Sequence, residues 1–179
     1  MDFKIIEESI LLNIEKFEML TNELERVYES TIRLINYDIS LKKRQVETCK
    51  KLSQISALED EGYDILAKKL ESKYAVDEKK LLDVIENLKS KITVNAVILK
   101  YEKLEAREKL ENRRNVLNFD VYDSFLKDRV NELEKIVKHD KKYLKKFRSA
   151  VEYDEKHSNN LQKFYVKTKV KYINNAKTR

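Results

Sequence analysis

A chain of 179 residues with no proline and one glycine has almost nothing with which to interrupt a helix. Ordinary domains carry about 5% Pro and 7% Gly as punctuation. Without them, tight turns, strand bends and phosphate-cradling loops have few places to form. Charged residues make up 39% of the chain and apolar residues 41%. That balance suits long amphipathic helices that work through surface and length rather than through a pocket. Three helices of roughly 50 to 55 residues would fill the chain, each about 80 Å long at 1.5 Å per residue. A layer so thin has little interior, so a dimer is expected to bury its apolar stripes.

Periodicity supports three segments. In the first, about 3–56, Ile6, Ile10, Ile14, Phe17, Leu20 or Thr21, Leu24, Val27 or Tyr28, Thr31 and Leu34 follow steps of three and four. This is a near-heptad seam, and Leu41, Val46, Cys49, Leu52 and Ile55 continue it. The stretch Ala57–Gly62 is the first expected turn, because its glycine suits a left-handed helix-ending position and Asp60 or Glu61 favours the next helix start. The second segment, about 63–118, carries Leu66, Leu70, Tyr74, Leu81, Ile85, Leu88, Ile92, Val97, Leu99, Leu104 and Leu110. Its most apolar piece, Ile92 to Leu99, reads as the densest core, and Ile92, Val97 and Leu99 as a dimer interface. Asn118, Asp120, Asp123 and Ser124 offer capping side chains for a second turn at Asn118–Ser124. Lys138–Lys141 is the alternative, disfavoured because Leu126, Val130, Leu133, Val137, Leu144, Phe147 and Val151 hold one heptad phase across it. The third segment then spans about 123–177. The fold expected is a single all-α domain of three long antiparallel helices.

Chemistry finds little purchase. His139 and His157 are the only histidines, and both stand in charged helical context. Cys49, the only cysteine, lies on an apolar face and reads as a small buried hydrophobe; an intramolecular disulfide is excluded, which fits a reducing cytosol. Neither ligand spacing for zinc nor a glycine-rich phosphate loop is present. No catalytic residue, metal site or cofactor is expected, and the chain is read as not an enzyme. The N-terminus lacks a secretory pattern, and no apolar run reaches the length of a membrane span. A membrane, if met, is met from outside.

Charge is more informative. The net charge is +6, yet residues 1–40 hold nine acids against four bases. The remainder is therefore strongly basic, a field that favours an anionic surface. Lys42, Lys43, Arg44, Lys50 and Lys51 form one cluster. Lys109, Arg113, Arg114, Lys127 and Arg129 flank the expected second turn. Lys135, Lys138, Lys141 and Lys142 lead a third cluster that continues to Lys145, Lys146 and Arg148. Residues 163–179 carry six bases and no acid. Stacking of tyrosines on nucleic-acid bases is disfavoured, because the aromatics follow the core period and lysine outnumbers arginine.

Several segments resemble sorting nexin-type BAR domains. Leu24 to Tyr28, Leu34 to Asn36 and Leu52 to Glu61 are similar to that family's first helix and first turn. Leu99 to Lys103 and Glu111 to Asn115 resemble the second helix, and Asn160 to Lys169 the third. The stretch between Arg114 and Phe164 is shorter than usual, and the phosphoinositide-binding PX domain that normally precedes the BAR domain has no counterpart here. The resemblance implies a curved, elongated dimer, homomeric or with a related BAR protein. It implies anionic phospholipid bound by Lys109, Arg113, Arg114, Lys127, Arg129, Lys135, Lys138, Lys141 and Lys142. It further implies curvature sensing or generation, a cytoplasmic and peripheral endosomal location, and recruitment to a coat or sorting complex. The competing expectation is a coiled-coil tether that binds only proteins.

Overall fold

The computed structural model describes residues 3–112 and 116–177. Three long α-helices, α1 (Phe3–Ser53), α2 (Tyr63–Glu111) and α3 (Val116–Lys177), account for nearly all of them. Among the described residues there is no strand, so the all-α reading holds. The first turn falls where expected: Ser56–Glu61 forms a short 3-10 helix, and Gly62 closes it at φ 75° and ψ 21°. That left-handed conformation strains any residue with a Cβ. The Leu66 amide donates to the Gly62 carbonyl at 3.0 Å and opens α2.

The second turn is not where the capping residues suggested. Helix α2 ends at Glu111 and α3 begins at Val116, so Asn118–Ser124 lies inside α3. Of the four capping candidates, Asn118, Asp120 and Ser124 are exposed on the helix, and Asp123 has a tertiary partner instead of a capping role. Phe119, Tyr122 and Asp123 are buried, and Asp123 accepts a 2.8 Å hydrogen bond from Ser9 Oγ. The heptad seam of α3 thus extends about two turns upstream of Leu126, to Phe119. Buried or half-buried positions then recur at steps of four and three from Phe119 through Thr168, the spacing of knobs-into-holes packing.

Contacts divide the chain into two compact units. Unit 1 comprises Met1–Thr31 with Glu86–Lys145, and unit 2 comprises Ile32–Ile85 with Lys146–Arg179. In each, α2 runs antiparallel to α1 and α3. In unit 1, Ile6, Ile10, Ala106, Phe119, Tyr122 and Leu126 form one apolar cluster; Leu24, Val27, Tyr28 and Val137 form a second, with Ile92, Leu88 and Leu133 against it. In unit 2, Ile35, Leu41, Val46, Cys49, Leu52, Ala67, Ile85 and Val151 are buried. Each fully buried leucine contributes about 1.5–3 kcal/mol through removal from water. Buried threonines on α1 return their hydroxyls to the preceding turn, as Thr21 does to the Phe17 carbonyl and Thr31 to that of Val27, both at 2.8 Å.

Ile92 to Leu99 is not the densest core. Ile92 and Leu99 are half-buried, but Val94, Val97 and Ile98 are exposed. A run of apolar residues points all round a helix, and the α2 seam accepts only one or two positions per turn. Leu66 and Leu104 are exposed for the same reason. The fully buried large side chains belong to α1 and α3: Ile10, Leu24, Ile35, Leu41, Leu52, Leu126 and Val151.

Candidate functional site

The nine cations assigned to lipid do not form one set. Arg113 and Arg114 lie outside the described residues. Lys109 is half-buried, with its ammonium 5.6 Å from the centroid of the Tyr122 ring. Burial, with the Glu105 carboxylate nearby, pushes the Tyr122 phenol up to about 12. Lys127 sits 3.1 Å from Asp123, four residues back on its own helix. Lys141 reaches across to Glu23 of α1. These contacts draw Lys109, Lys127 and Lys141 toward the bundle.

Arg129 is half-buried as well. Its guanidinium pairs with Glu102 of α2 and lies 4.2 Å from the Phe125 ring centroid. Glu102 is only 2% exposed, so its charge depends on this partner. The arginine holds α2 to α3 within unit 1. Sequence reading missed the pair because the two residues are 27 positions apart and each has closer charged neighbours along its own helix. With α3 beginning at Val116, Lys127 and Arg129 also stand about three helical turns into that helix, beyond the turn they were expected to flank.

Lys135, Lys138 and Lys142 remain. All three are exposed, and no ion pair engages them among the described residues. Their steps of three and four place them on one face of α3, away from the seam residues Leu133, Val137 and Leu144. Charge on such a face is available to a ligand.

A second surface of unit 1 is apolar. Val97, Ile98 and Tyr101 of α2 and Ile136 of α3 border a groove of about 590 Å³ with Phe17 and Leu133 in its lining. Val97 is 63% exposed and Tyr101 67%, large fractions for side chains of this kind. Of the three residues expected at a dimer interface, Val97 faces this groove. Ile92 and Leu99 instead line a small cleft with Thr21 and Asn22 of α1.

The potential nucleophiles are quiet. Cys49 is buried, and burial pushes its thiol up, which keeps it protonated and unreactive. His139 is exposed and lies 3.1 Å from the neighbouring Asp140. His157 stacks edge-on against Tyr153 with centroids 4.6 Å apart. Among the described residues, no group of three or more His, Cys, Asp or Glu is placed to hold a metal, and no helix is long and apolar enough to cross a membrane. No protein-family model matches the chain, and no curated protein or solved structure is significantly similar to it.

Proposed function

We propose that this chain is a non-enzymatic helical module that dimerises and binds anionic phospholipid membranes, with the curvature-sensing role and endosomal sorting context that the BAR resemblance implies. The observation that carries the reading is the outward row Lys135, Lys138 and Lys142, exposed and without ion-pair partners among the described residues. Each lysine near an anionic bilayer contributes about 1 kcal/mol, weakened by salt. The uncovered groove bordered by Val97, Ile98, Tyr101 and Ile136 supports self-association, since exposed apolar patches of this kind mark interaction surfaces.

The test is co-sedimentation with phosphatidylserine-containing and neutral vesicles at low and high salt. The wild-type chain should bind only the anionic vesicles, and less at high salt. The variant K135E/K138E/K142E should bind about tenfold more weakly or worse, with helicity and sedimentation unchanged. The groove favours a second reading, a tether that binds only proteins. A wild-type chain that sediments as a dimer yet ignores every vesicle would select it.

A further inference from the structure

The row Lys135, Lys138 and Lys142 belongs to the less basic half of the molecule. Unit 1 contains 18 Lys and Arg against 19 Asp and Glu, a net of −1; unit 2 contains 20 against 13, a net of +7. Within unit 2 the surplus concentrates in the last part of α3. Glu155 is the final acid of the chain, and seven bases follow it.

The helix sorts these residues by face. Asp154, Ser158, Leu161, Tyr165 and Thr168 are the buried or half-buried seam. Directly opposite stand Lys156, Lys163, Val166, Lys167 and Val170, all exposed, with Lys171 at the edge. Val166 is 50% exposed and Val170 52%. They lie four residues apart, one above the other on the helix surface, and Lys163 and Lys167 run beside them with the same spacing. Lys169 is held on the flank, its ammonium 5.8 Å from the Tyr165 ring centroid. Elsewhere in unit 2, the α2 acids Glu71 and Glu78 pair with Lys50 and Lys43 of α1 at 3.3 and 3.1 Å. Those carboxylates are thereby partly neutralised.

We propose that this outer face of α3, Lys156 to Lys171, is an interfacial membrane-binding strip. Its lysines take anionic phospholipid headgroups, and Val166 and Val170 seat at the boundary between headgroups and acyl chains. The inference rests on the membrane-binding reading above and moves the main contact from unit 1 to unit 2. Complementarity of charge names the partner, and the valines narrow it. A bilayer offers phosphate and a shallow apolar layer together, which is what an interfacial helix with basic and aliphatic residues requires. Nucleic acid rewards arginine forks and freely exposed stacking rings; here the bases are lysines, Tyr165 lies in the seam, and the exposed rings of Phe164 and Tyr153 pack against Tyr63 and His157.

The experiment compares the full-length chain, K163E/K167E/K171E, K135E/K138E/K142E and V166S/V170S on phosphatidylcholine vesicles with and without phosphatidylserine. Circular dichroism accompanies each variant. A fifth variant, Val166→Trp, reports depth through its emission and its quenching by brominated lipid. Reversal at Lys163, Lys167 and Lys171 should weaken binding about tenfold or more, and by more than reversal in unit 1. V166S/V170S should bind severalfold more weakly at unchanged charge, and the tryptophan should shift to the blue and be quenched. If K163E/K167E/K171E keeps its fold and its binding while K135E/K138E/K142E loses binding, the strip is overturned and the membrane reading survives. If the wild-type chain binds no vesicle, or binds only a single-stranded oligonucleotide, both are overturned. A tryptophan that stays water-exposed on bound vesicles overturns the seating of the valines.

Discussion

The two units are built from the same three helices and solve the burial of polar groups in opposite ways. Unit 1 packs two apolar clusters and closes its α2–α3 contact with an ion pair, the inward Arg129 on the buried Glu102. Unit 2 places a polar layer in the seam. Gln45 accepts from the Tyr74 hydroxyl at 2.7 Å and donates to the Asp154 carbonyl at 3.3 Å, and Thr48 donates to Gln162 at 3.0 Å. At this layer the nearly fully buried carboxyl group of Asp38 faces that of Asp154, whose pKa is raised by burial and by Asp38. Unit 1 therefore meets its buried carboxylate with an opposite charge alone; unit 2 sets a second carboxyl group beside the Asp38–Lys42 pair, so a proton is expected between the two acids. The difference sets what each unit should tolerate: unit 1 depends on apolar volume and on one cation, unit 2 on protonation.

The most damaging changes should be cavities, and they test whether the units are separate at all. Leu126 is fully buried in the first cluster of unit 1. Leu126→Ala should cost about 2–5 kcal/mol, the range for a leucine removed from a packed core. If the units open independently, hydrogen exchange should accelerate in Phe3–Thr31 and in 86–145 and change little in 32–85. Leu41→Ala, at an equally buried site of unit 2, should give the reverse pattern. Uniform acceleration along all three helices in both variants would show one cooperative structure and dissolve the comparison.

The ion pair offers a sharper test. Glu102→Gln leaves the Arg129 guanidinium facing a neutral amide. Breaking a buried pair costs about 3–5 kcal/mol, and the lower end applies because the Arg129 side chain is 35% exposed and keeps some water. The expected loss is about 3 kcal/mol of stability in unit 1, read by denaturant unfolding. The double variant Glu102→Leu with Arg129→Met should recover most of it, since a well-packed apolar substitute avoids desolvating two charges. A double variant as unstable as the single one would mean that the pair does not act as a pair.

How far these features were legible follows from what helix periodicity encodes. The seam of α1 was readable because nearly every third or fourth residue is apolar and one face is broad: Ile6, Ile10, Phe17, Leu24 and Val27 are all buried. Gly62 was readable because a lone glycine in such a chain has one plausible use. The seam of α2 was not, because its apolar residues surround the helix and nothing local distinguishes Leu99, half-buried, from Val97, exposed. The second turn was misplaced for a related reason. Asp123 is a good cap and also a good partner for Ser9, and only tertiary contact decides between the two uses. The cations suffered most: Lys135 and Lys141 look alike in sequence, yet Lys141 is committed to Glu23. Which lysine is free depends on which acid of another helix arrives opposite it.

The smallest expected effect comes from the shared proton, and it carries a sign. Burial raises the Asp154 pKa, the hydrogen bond and charge of Asp38 raise it further, and Lys42 and His157 pull it partway back. Asp38 is nearly fully buried. One of its oxygens accepts from Lys42 at 3.1 Å, and the other, Oδ1, is buried without a donor unless Asp154 carries the proton. Two ionised carboxylates only accept, so their hydrogen bond exists when one is protonated. Around the pair stand Lys42 on α1, Tyr74 and Asp77 on α2, and His157 on α3. A carboxyl whose folded pKa is raised adds stability that is fully present below its unfolded value, about 3.9, and that fades as pH rises through the folded value. Unit 2 should therefore weaken as pH climbs across that window. Asp154→Asn fixes the protonated form, because the amide donates permanently to Asp38. The variant should be more stable than the parent at the alkaline end of the window by about 1 kcal/mol, the net worth of one hydrogen bond, and should converge with it at acid pH. Its difference from the parent, measured as denaturant midpoint against pH, isolates this proton from the rest of the chain's titration. A difference that is flat with pH, or that grows toward acid, would remove the shared proton from unit 2. The two units would then satisfy their buried charges by the same means.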